Sequence, residues 1–250
     1  NNLLGSVDVD FSVPESVRSL TDAFPVYPEF RIVALGDTSV TGQKAVFAYV
    51  VDDPTDRVPH SAKVKEWVEK CIDDTLAFNE NIQALGKVLD KAFMGEYPEK
   101  ETDLTYSYSR SLLAYTLTAD YVTYQDYFYV FRGGAHGMYG NRFISYDIRK
   151  NAPVTYASLF KPGVEDQVRE LIYDAIADDD DFMNSHHLTS LSQLKTYFGT
   201  YLDGEPISIG DPGILPEGLI FCYQPYEIAP YSDGNFFAVI PFEKLTDLLK

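Results

Sequence analysis

Cysteine is nearly absent from this chain: Cys71 and Cys222 are the only two in 250 residues. Two thiols cannot build the disulfide framework of a small secreted domain or a zinc knuckle of the usual spacing. Cys71 falls in a helical pattern and Cys222 in a strand pattern. Both read as buried thiols that do not pair, with a disulfide as the alternative in an oxidising compartment. Basic residues are the second shortage. There are 20 Lys and Arg against 38 Asp and Glu, a formal net charge of −18. No Lys/Arg cluster interrupts the acidity, which excludes the basic footprint that nucleic-acid binding requires. Such a field favours cationic partners, cationic proteins included, and it also keeps a chain soluble. No apolar run reaches the roughly 20 residues of a membrane-spanning helix. An initiator Met and a signal peptide are missing as well. Asn1 to Asp10 is a polar leader, as expected of a mature chain or one trimmed of an export signal.

Catalytic signatures are equally scarce. The four histidines, His60, His136, His186 and His187, include no pair four residues apart with a Glu between, as a zincin helix needs. His186 and His187 are adjacent and would point about 100° apart on a helix; they read as part of a polar loop. Asp178 to Asp181 looks like a calcium run, but Met183 and Thr189 stand where an EF-hand loop needs Gly and Glu. Those four acids read as a solvated loop ending a helix. There is no Gly-x-Ser-x-Gly elbow and no phosphate-cradling Gly-x-x-x-x-Gly-Lys. Cys71 lies on an apolar stripe without an electropositive neighbourhood, which argues against a nucleophile. No catalytic residue, metal ligand or cofactor is therefore assigned. A glycosidase-type carboxylate pair stays open, because 38 acids allow many combinations.

Aromatic residues, by contrast, are plentiful, with 19 Tyr and 16 Phe, and they suit strands and amphipathic surfaces. Strands are expected at Glu29–Leu35 and Lys44–Val51. A long helix is expected from about Ser61, its N-cap, to Phe93, with a Glu66–Lys70 pair on its surface and Gly86 as a weak point. Between Asp103 and Asn151 the period-two patterns Tyr106/Tyr108, Leu113/Tyr115/Leu117 and Tyr127/Tyr129/Phe131 mark half-buried antiparallel strands, followed by Arg142–Ile148. Helices are expected over Gly163–Ala177 and Leu188–Phe198, the latter with a Ser190–Gln193 capping box. Leu219/Phe221/Tyr223 and Phe236–Ile240 read as strands. Pro241 opens a last helix buried by Phe242, Leu245, Leu248 and Leu249. Strands and helices in blocks indicate an α+β fold, with mostly antiparallel sheets packed by a long helix in the N-terminal half and shorter C-terminal helices. A boundary near Lys100 divides it into an N-terminal subdomain, 1–100, and a C-terminal domain, 101–250, with one shared core as the alternative.

Two segments stand apart from this framework. Phe131-Arg132-Gly133-Gly134-Ala135-His136-Gly137, with Tyr139 just beyond, places three glycines around one His after a strand. That calls for special torsions or close backbone approach. The His reads as a turn residue bonded to nearby backbone or as a ligand contact. Gln224 to Gly234 carries Tyr226, Glu227 and Tyr231 between two prolines and reads as a stiff edge that either binds a partner or blocks strand pairing. The candidate binding residues are Gly133, Gly134, His136, Tyr139, Tyr226, Glu227 and Tyr231.

Gly133–Gly137 resembles the glycine–histidine motif of a domain of unknown function shared by lysozyme-sensing anti-sigma factors and the non-catalytic region of a peptidoglycan deacetylase. Tyr146-Asp147 through Leu159-Phe160, Pro225 to Tyr231, Gly234 and Ile240-Pro241-Phe242 resemble its later segments. Tyr27-Pro28 and the helix running to Asn79 and Ile82 are similar to the partner domain that precedes it. The resemblance implies an exported, often membrane-anchored bacterial envelope protein, periplasmic or at the cell surface; with no spanning run in this chain, membrane contact is expected only through a lipid anchor, if any, carried by a removed signal. It also implies lysozyme, a cationic protein, as the kind of partner. A membrane-spanning helix, a sigma-binding segment and the deacetylase's Asp and His-x-x-x-His metal ligands have no counterpart here, so signalling and deacetylation do not carry over. The expectation is a non-catalytic protein that binds a cell-wall fragment or a cationic protein such as lysozyme. The alternatives are a glycan- or peptidoglycan-acting hydrolase and a structural or assembly module.

Overall fold

The computed structural model describes residues 30–37, 45–72, 106–131 and 134–250. It is an α+β arrangement of two mostly antiparallel sheets. The first sheet has six strands in sequence order: β1 (Phe30–Asp37), β2 (Ala45–Pro54), β3 (Tyr106–Leu117), β4 (Tyr121–Phe131), β5 (Met138–Asp147) and β6 (Ala152–Pro153). Every pairing is antiparallel except β2 with β3, which run parallel from Ala45↔Tyr106 to Val51↔Leu112. Parallel neighbours need a long crossover, usually helical, and helix α1 (Ser61–Ile72) lies in that connection. The remainder of the long helix expected to reach Phe93, the Gly86 weak point and the boundary expected near Lys100 lie outside the described residues.

Helix α1 begins one residue earlier than a Ser61 N-cap requires. The Val64 N–H donates to His60 O at 3.2 Å, so Ser61 is already helical. The Glu66–Lys70 pair is present at 3.1 Å, and Lys63 approaches Glu66 at 2.9 Å. Val64 and Val68 pack onto Leu112, Ala114, Val122, Tyr124 and Tyr146 of the sheet, and Trp67 lies edge-on to Tyr124 at 5.9 Å. Strand β3 departs from simple alternation: Leu112, Leu113 and Ala114 are all buried, and the register shifts between Ala114 and Thr116. A bulge of this kind turns successive side chains out of strict alternation.

At the bulge, Asp52 takes over from the β2 ladder. Its Oδ2 accepts the Ala114 N–H at 2.8 Å, while its carbonyl accepts the Tyr124 hydroxyl at 3.0 Å. Burial raises the Asp52 carboxyl above its ordinary value, and the Ala114 bond offsets only part of this. The folded state therefore binds this proton more readily than the unfolded chain. Ionisation opposes folding above the raised value, and the penalty disappears as pH falls toward the ordinary value of 3.8. Asp52→Asn keeps an acceptor for Ala114 without the charge. It is expected to unfold at higher urea than the wild type near neutrality, with the gap closing as pH falls; a gap independent of pH would contradict this origin.

The second sheet orders β7 (Gly213–Ile214), β8 (Gly218–Tyr223) and β9 (Phe236–Pro241). Helices α2 (Tyr156–Leu159), α3 (Glu165–Ala177), α4 (Asp180–Ser185) and α5 (Leu191–Tyr201) precede it in the chain. Val168, Ile172 and Ile176 of α3, Phe182 of α4, and Leu194 and Phe198 of α5 form one core with Leu219, Phe221 and Tyr223 of β8 and Phe236, Ala238 and Ile240 of β9. Ser190 caps α5 by accepting the Gln193 N–H, but Gln193 Oε1 turns to the Thr189 N–H, so the capping box is only half formed. Asp178 is the C-cap that ends α3, as expected, but the rest of the Asp178–Asp181 run enters α4 and is not a solvated loop. Asp179 accepts the Phe182 N–H as the N-cap of α4, and Asp180 and Asp181 occupy its first turn, where the helix dipole favours negative charge. The last helix, α6 (Phe242–Leu245), is four residues long. It turns only Leu245 fully inward, and Phe242, expected to be buried, is exposed. Cys71 and Cys222 form no disulfide. Both are half-buried, and burial pushes the Cys222 thiol up to about 12, which keeps it protonated.

Candidate functional site

The β4–β5 hairpin and the β8–β9 connection meet, bringing together the two segments singled out in the sequence. Tyr129 of β4 faces Tyr139 of β5 across the ladder. The hairpin loop returns through Gly134, whose φ of 97° suits glycine, and Gly137, where a Cβ would lie 2.5 Å from the Tyr129 ring. Gly133 lies outside the described residues.

His136 sits on this loop with its ring stacked on Tyr231, centroids 4.0 Å apart and planes 25° from parallel. Its Nδ1 lies 2.9 Å from Gly137 O. A carbonyl only accepts, so Nδ1 carries the proton in this bond. The Tyr231 hydroxyl donates to the same oxygen at 2.7 Å. Tyr139 meets Tyr231 edge-on at 5.7 Å, and Tyr226 lies 5.5 Å from it on a tilted plane. Burial, then the neighbouring Tyr139, Tyr129 and Tyr226, hold the Tyr231 hydroxyl above its ordinary value; Tyr127, also beside Tyr139 and Tyr129, is raised for the same reasons. Both phenols stay neutral donors at physiological pH.

The segment from Gln224 to Gly234 is not an edge strand. It is a turn followed by a 3-10 helix, Tyr231–Asp233, joining β8 to β9. Ile228 and Ala229 anchor it in the core. The Glu227 N–H donates to Gln224 O at 3.0 Å, and Glu227 Oε2 accepts the Gln224 N–H at 2.9 Å. Glu227 therefore locks its own turn while remaining exposed. The Gln224 side-chain amide reaches the backbone of Asn141 in β5, accepting its N–H at 2.5 Å and donating to its carbonyl at 2.9 Å. One glutamine thus pairs with a strand edge as a backbone amide would. A second polar join lies further along β5. Thr123 and Ser145 are 2.7 Å apart, and their hydroxyls bond the carbonyl and N–H of Ile214.

Six of the seven expected binding residues are thus described. His136, Tyr139, Tyr226 and Tyr231 touch in one aromatic cluster, Gly134 shapes the loop, and Glu227 fixes the turn. Tyr129, Gln224 and Asn141 complete the site and were not singled out in the sequence. The Tyr127/Tyr129 alternation marked a strand without indicating which partner its outer face would meet, and nothing in the spacing of Gln224 and Asn141 announces their pairing.

Behind the cluster, Asp233 is held by Tyr197, whose hydroxyl donates to Oδ2, and by Ser232 at 3.0 Å. His186 Nε2 lies 3.4 Å from Asp233 Oδ1. His186 is not in an open polar loop; it ends α4 and packs on Phe182 at 4.4 Å. Burial and Asp233 raise the Tyr197 hydroxyl above its ordinary range. Ser185 Oγ lies 2.9 Å from both His186 Nδ1 and Phe182 O. Among the described residues, no three His, Cys, Asp or Glu side chains gather as a metal site, and no helix is long and apolar enough to cross a membrane.

An α+β body with an aromatic junction between a hairpin loop and a β8–β9 turn is the class defined by this geometry. Residues 157–243 match the model of a family described as a protein of unknown function, DUF3298. The match contains the Tyr226–Tyr231 segment and agrees with the resemblance to a domain of unknown function. The chain is similar in fold to the crystal structure of a DUF3298 family member from Bacteroides fragilis, with a TM-score of 0.70, 16% identity, and coverage of 89% of this chain and 93% of that one. It is likewise similar to a DUF3298 family protein from Pseudomonas aeruginosa, with a TM-score of 0.63, 18% identity, and coverage of 90% and 95%. No curated protein matches the chain.

Proposed function

We propose that this is a non-catalytic, exported envelope protein that binds a cationic protein such as lysozyme, or a cell-wall fragment, through the face carrying His136, Tyr139, Tyr226 and Tyr231. The observation that carries this reading is the His136–Tyr231 stack with Tyr226 beside it. It joins two distant segments in an aromatic surface that ends in a side chain 48% exposed. Aromatic rings with a polar edge supply large contact area at low conformational cost, which is why they gather in binding faces. The charge of −18 favours a cationic partner over an anionic one.

The test is titration calorimetry of the full chain with lysozyme and, separately, with soluble peptidoglycan fragments. Lysozyme binding is expected at low ionic strength and should weaken on the order of tenfold when salt shortens the screening length. Intact cell wall incubated with the protein should release no fragments. Failure to bind either probe would remove the reading, and released fragments would replace it with a hydrolase.

A further inference from the structure

Tyr226 occupies a backbone conformation that costs a bulky side chain free energy, and its ring is not used in the core. Its φ is 72°, a left-handed value that is an outlier for a residue of this size. Glycine or asparagine would make the same turn with little strain. The conformation is imposed from both sides. The Gln224–Glu227 bonds close the turn around Tyr226, and the Tyr201 hydroxyl donates to Tyr226 O at 3.2 Å. The result is a tyrosine ring 48% exposed, backed by Tyr231, which is itself braced by His136 and by its bond to Gly137 O.

We propose that the turn stores this strain to present Tyr226, with Tyr231 behind it, as the platform on which a lysine or arginine side chain of a cationic partner protein seats. The proposal rests on the binding reading above and adds the contact residue and its chemistry. Residues 134–141 and 224–235 contain Glu227 and Asp233 but no lysine or arginine. The Asp233 carboxylate is buried behind the cluster, so an incoming cation meets π faces and the exposed Glu227 carboxylate with no lysine or arginine on either segment, the arrangement that favours cation–π contact. Backbone strain persisting at an exposed side chain is a marker of function when the surroundings hold it in place.

Three variants separate the contributions, with lysozyme as the cationic-protein probe and peptidoglycan fragments as the non-protein comparison. Tyr226→Ala loses the ring and keeps the strain, Tyr226→Gly loses both, and Tyr226→Phe keeps both. The glycine variant should melt about 2–4 °C above the alanine variant, while both lose on the order of tenfold in lysozyme affinity. The phenylalanine variant should stay within about threefold of wild type, because the π face survives. If the wild type binds lysozyme and Tyr226→Gly binds it equally well, the platform is wrong and the binding function stands. An alanine variant that melts at or above the glycine variant removes the stored strain. Binding of peptidoglycan fragments without lysozyme overturns the cationic occupant alone, and binding of neither probe removes the function and this proposal together.

Discussion

Asp126→Ala is expected to lower folding stability by about 3–5 kcal/mol, the range for removing one partner of a buried ion pair. Asp126 is 1% exposed on β4. Arg110 on β3 donates to both of its oxygens at 2.8 Å, and Arg142 on β5 donates to Oδ2 at 2.9 Å. The carboxylate thus joins three adjacent strands, and the Arg110 Nη2 that bonds Oδ2 also donates to Cys71 O near the end of α1 at 2.7 Å. The two arginines respond unequally to its loss. Arg142 is more than half exposed and can turn to water, whereas Arg110 is nearly buried and would keep its charge in a poorly solvated place. Most of the cost falls on Arg110. A double variant, Asp126→Ala with Arg110→Met, should recover much of it, because the poorly solvated guanidinium is then removed together with the carboxylate. Urea unfolding of the four forms in the cycle measures this. A single-variant loss below about 1 kcal/mol, the range of surface pairs, would show that Arg110 finds other solvation.

Phe198→Ala should cost a similar amount, about 3–5 kcal/mol, by the cavity it opens. Phe198 is fully buried on α5, with Phe236 edge-on at 5.2 Å, Phe182 stacked at 6.1 Å and Tyr173 at 6.3 Å. The same helix carries Tyr197, which holds Asp233, and Tyr201, which bonds Tyr226 O. Loosening α5 should therefore also weaken partner binding under conditions where the variant remains folded. Guanidinium unfolding gives the stability loss, and titration below the transition gives the binding loss. A large stability loss with unchanged binding would separate the aromatic face from α5.

The parts legible in the sequence are those set by local chemistry. Period-two Tyr, Phe and Leu patterns marked β3, β4 and β8, because a pleated strand sorts alternate side chains to opposite faces, and the Ser232–Asn235 turn marked the start of β9. The apolar face of α3 followed from its helical spacing, and the Glu66–Lys70 pair from i,i+4 geometry. Asp178 ends α3 as its place in the sequence indicates, but Asp179–Asp181 read as a loop because a carboxylate is unfavourable at a helix C-terminus and favourable at an N-terminus, and only the position of α4 tells the two apart. Phe242 was misread because a four-residue helix turns one residue to the core, where a longer one would bury a stripe. The Gln224–Gly234 segment was expected to lie extended; it turns instead, with Tyr226 at positive φ and Ile228 and Ala229 drawn inward.

Within the site, glycines around His136 and the Tyr–Pro composition of Pro225–Tyr231 were visible as unusual, since special torsions leave a mark on residue choice. Their meeting was not visible. His136 and Tyr231 are 95 positions apart, and contacts at that separation are decided by how the two sheets join, through Gln224 on Asn141 and Ile214 on Ser145 and Thr123. The same holds for the parallel β2–β3 pairing and for Asp126 between two arginines. Backbone preference, amphipathic period and net charge are properties of neighbouring residues, so the sequence by itself determined the fold class, the acidic field and the suspicion attached to two loops. Tertiary structure alone decided that those loops form one aromatic face, because hydrogen bonds and ring stacking act only between groups that folding has already brought within a few ångströms.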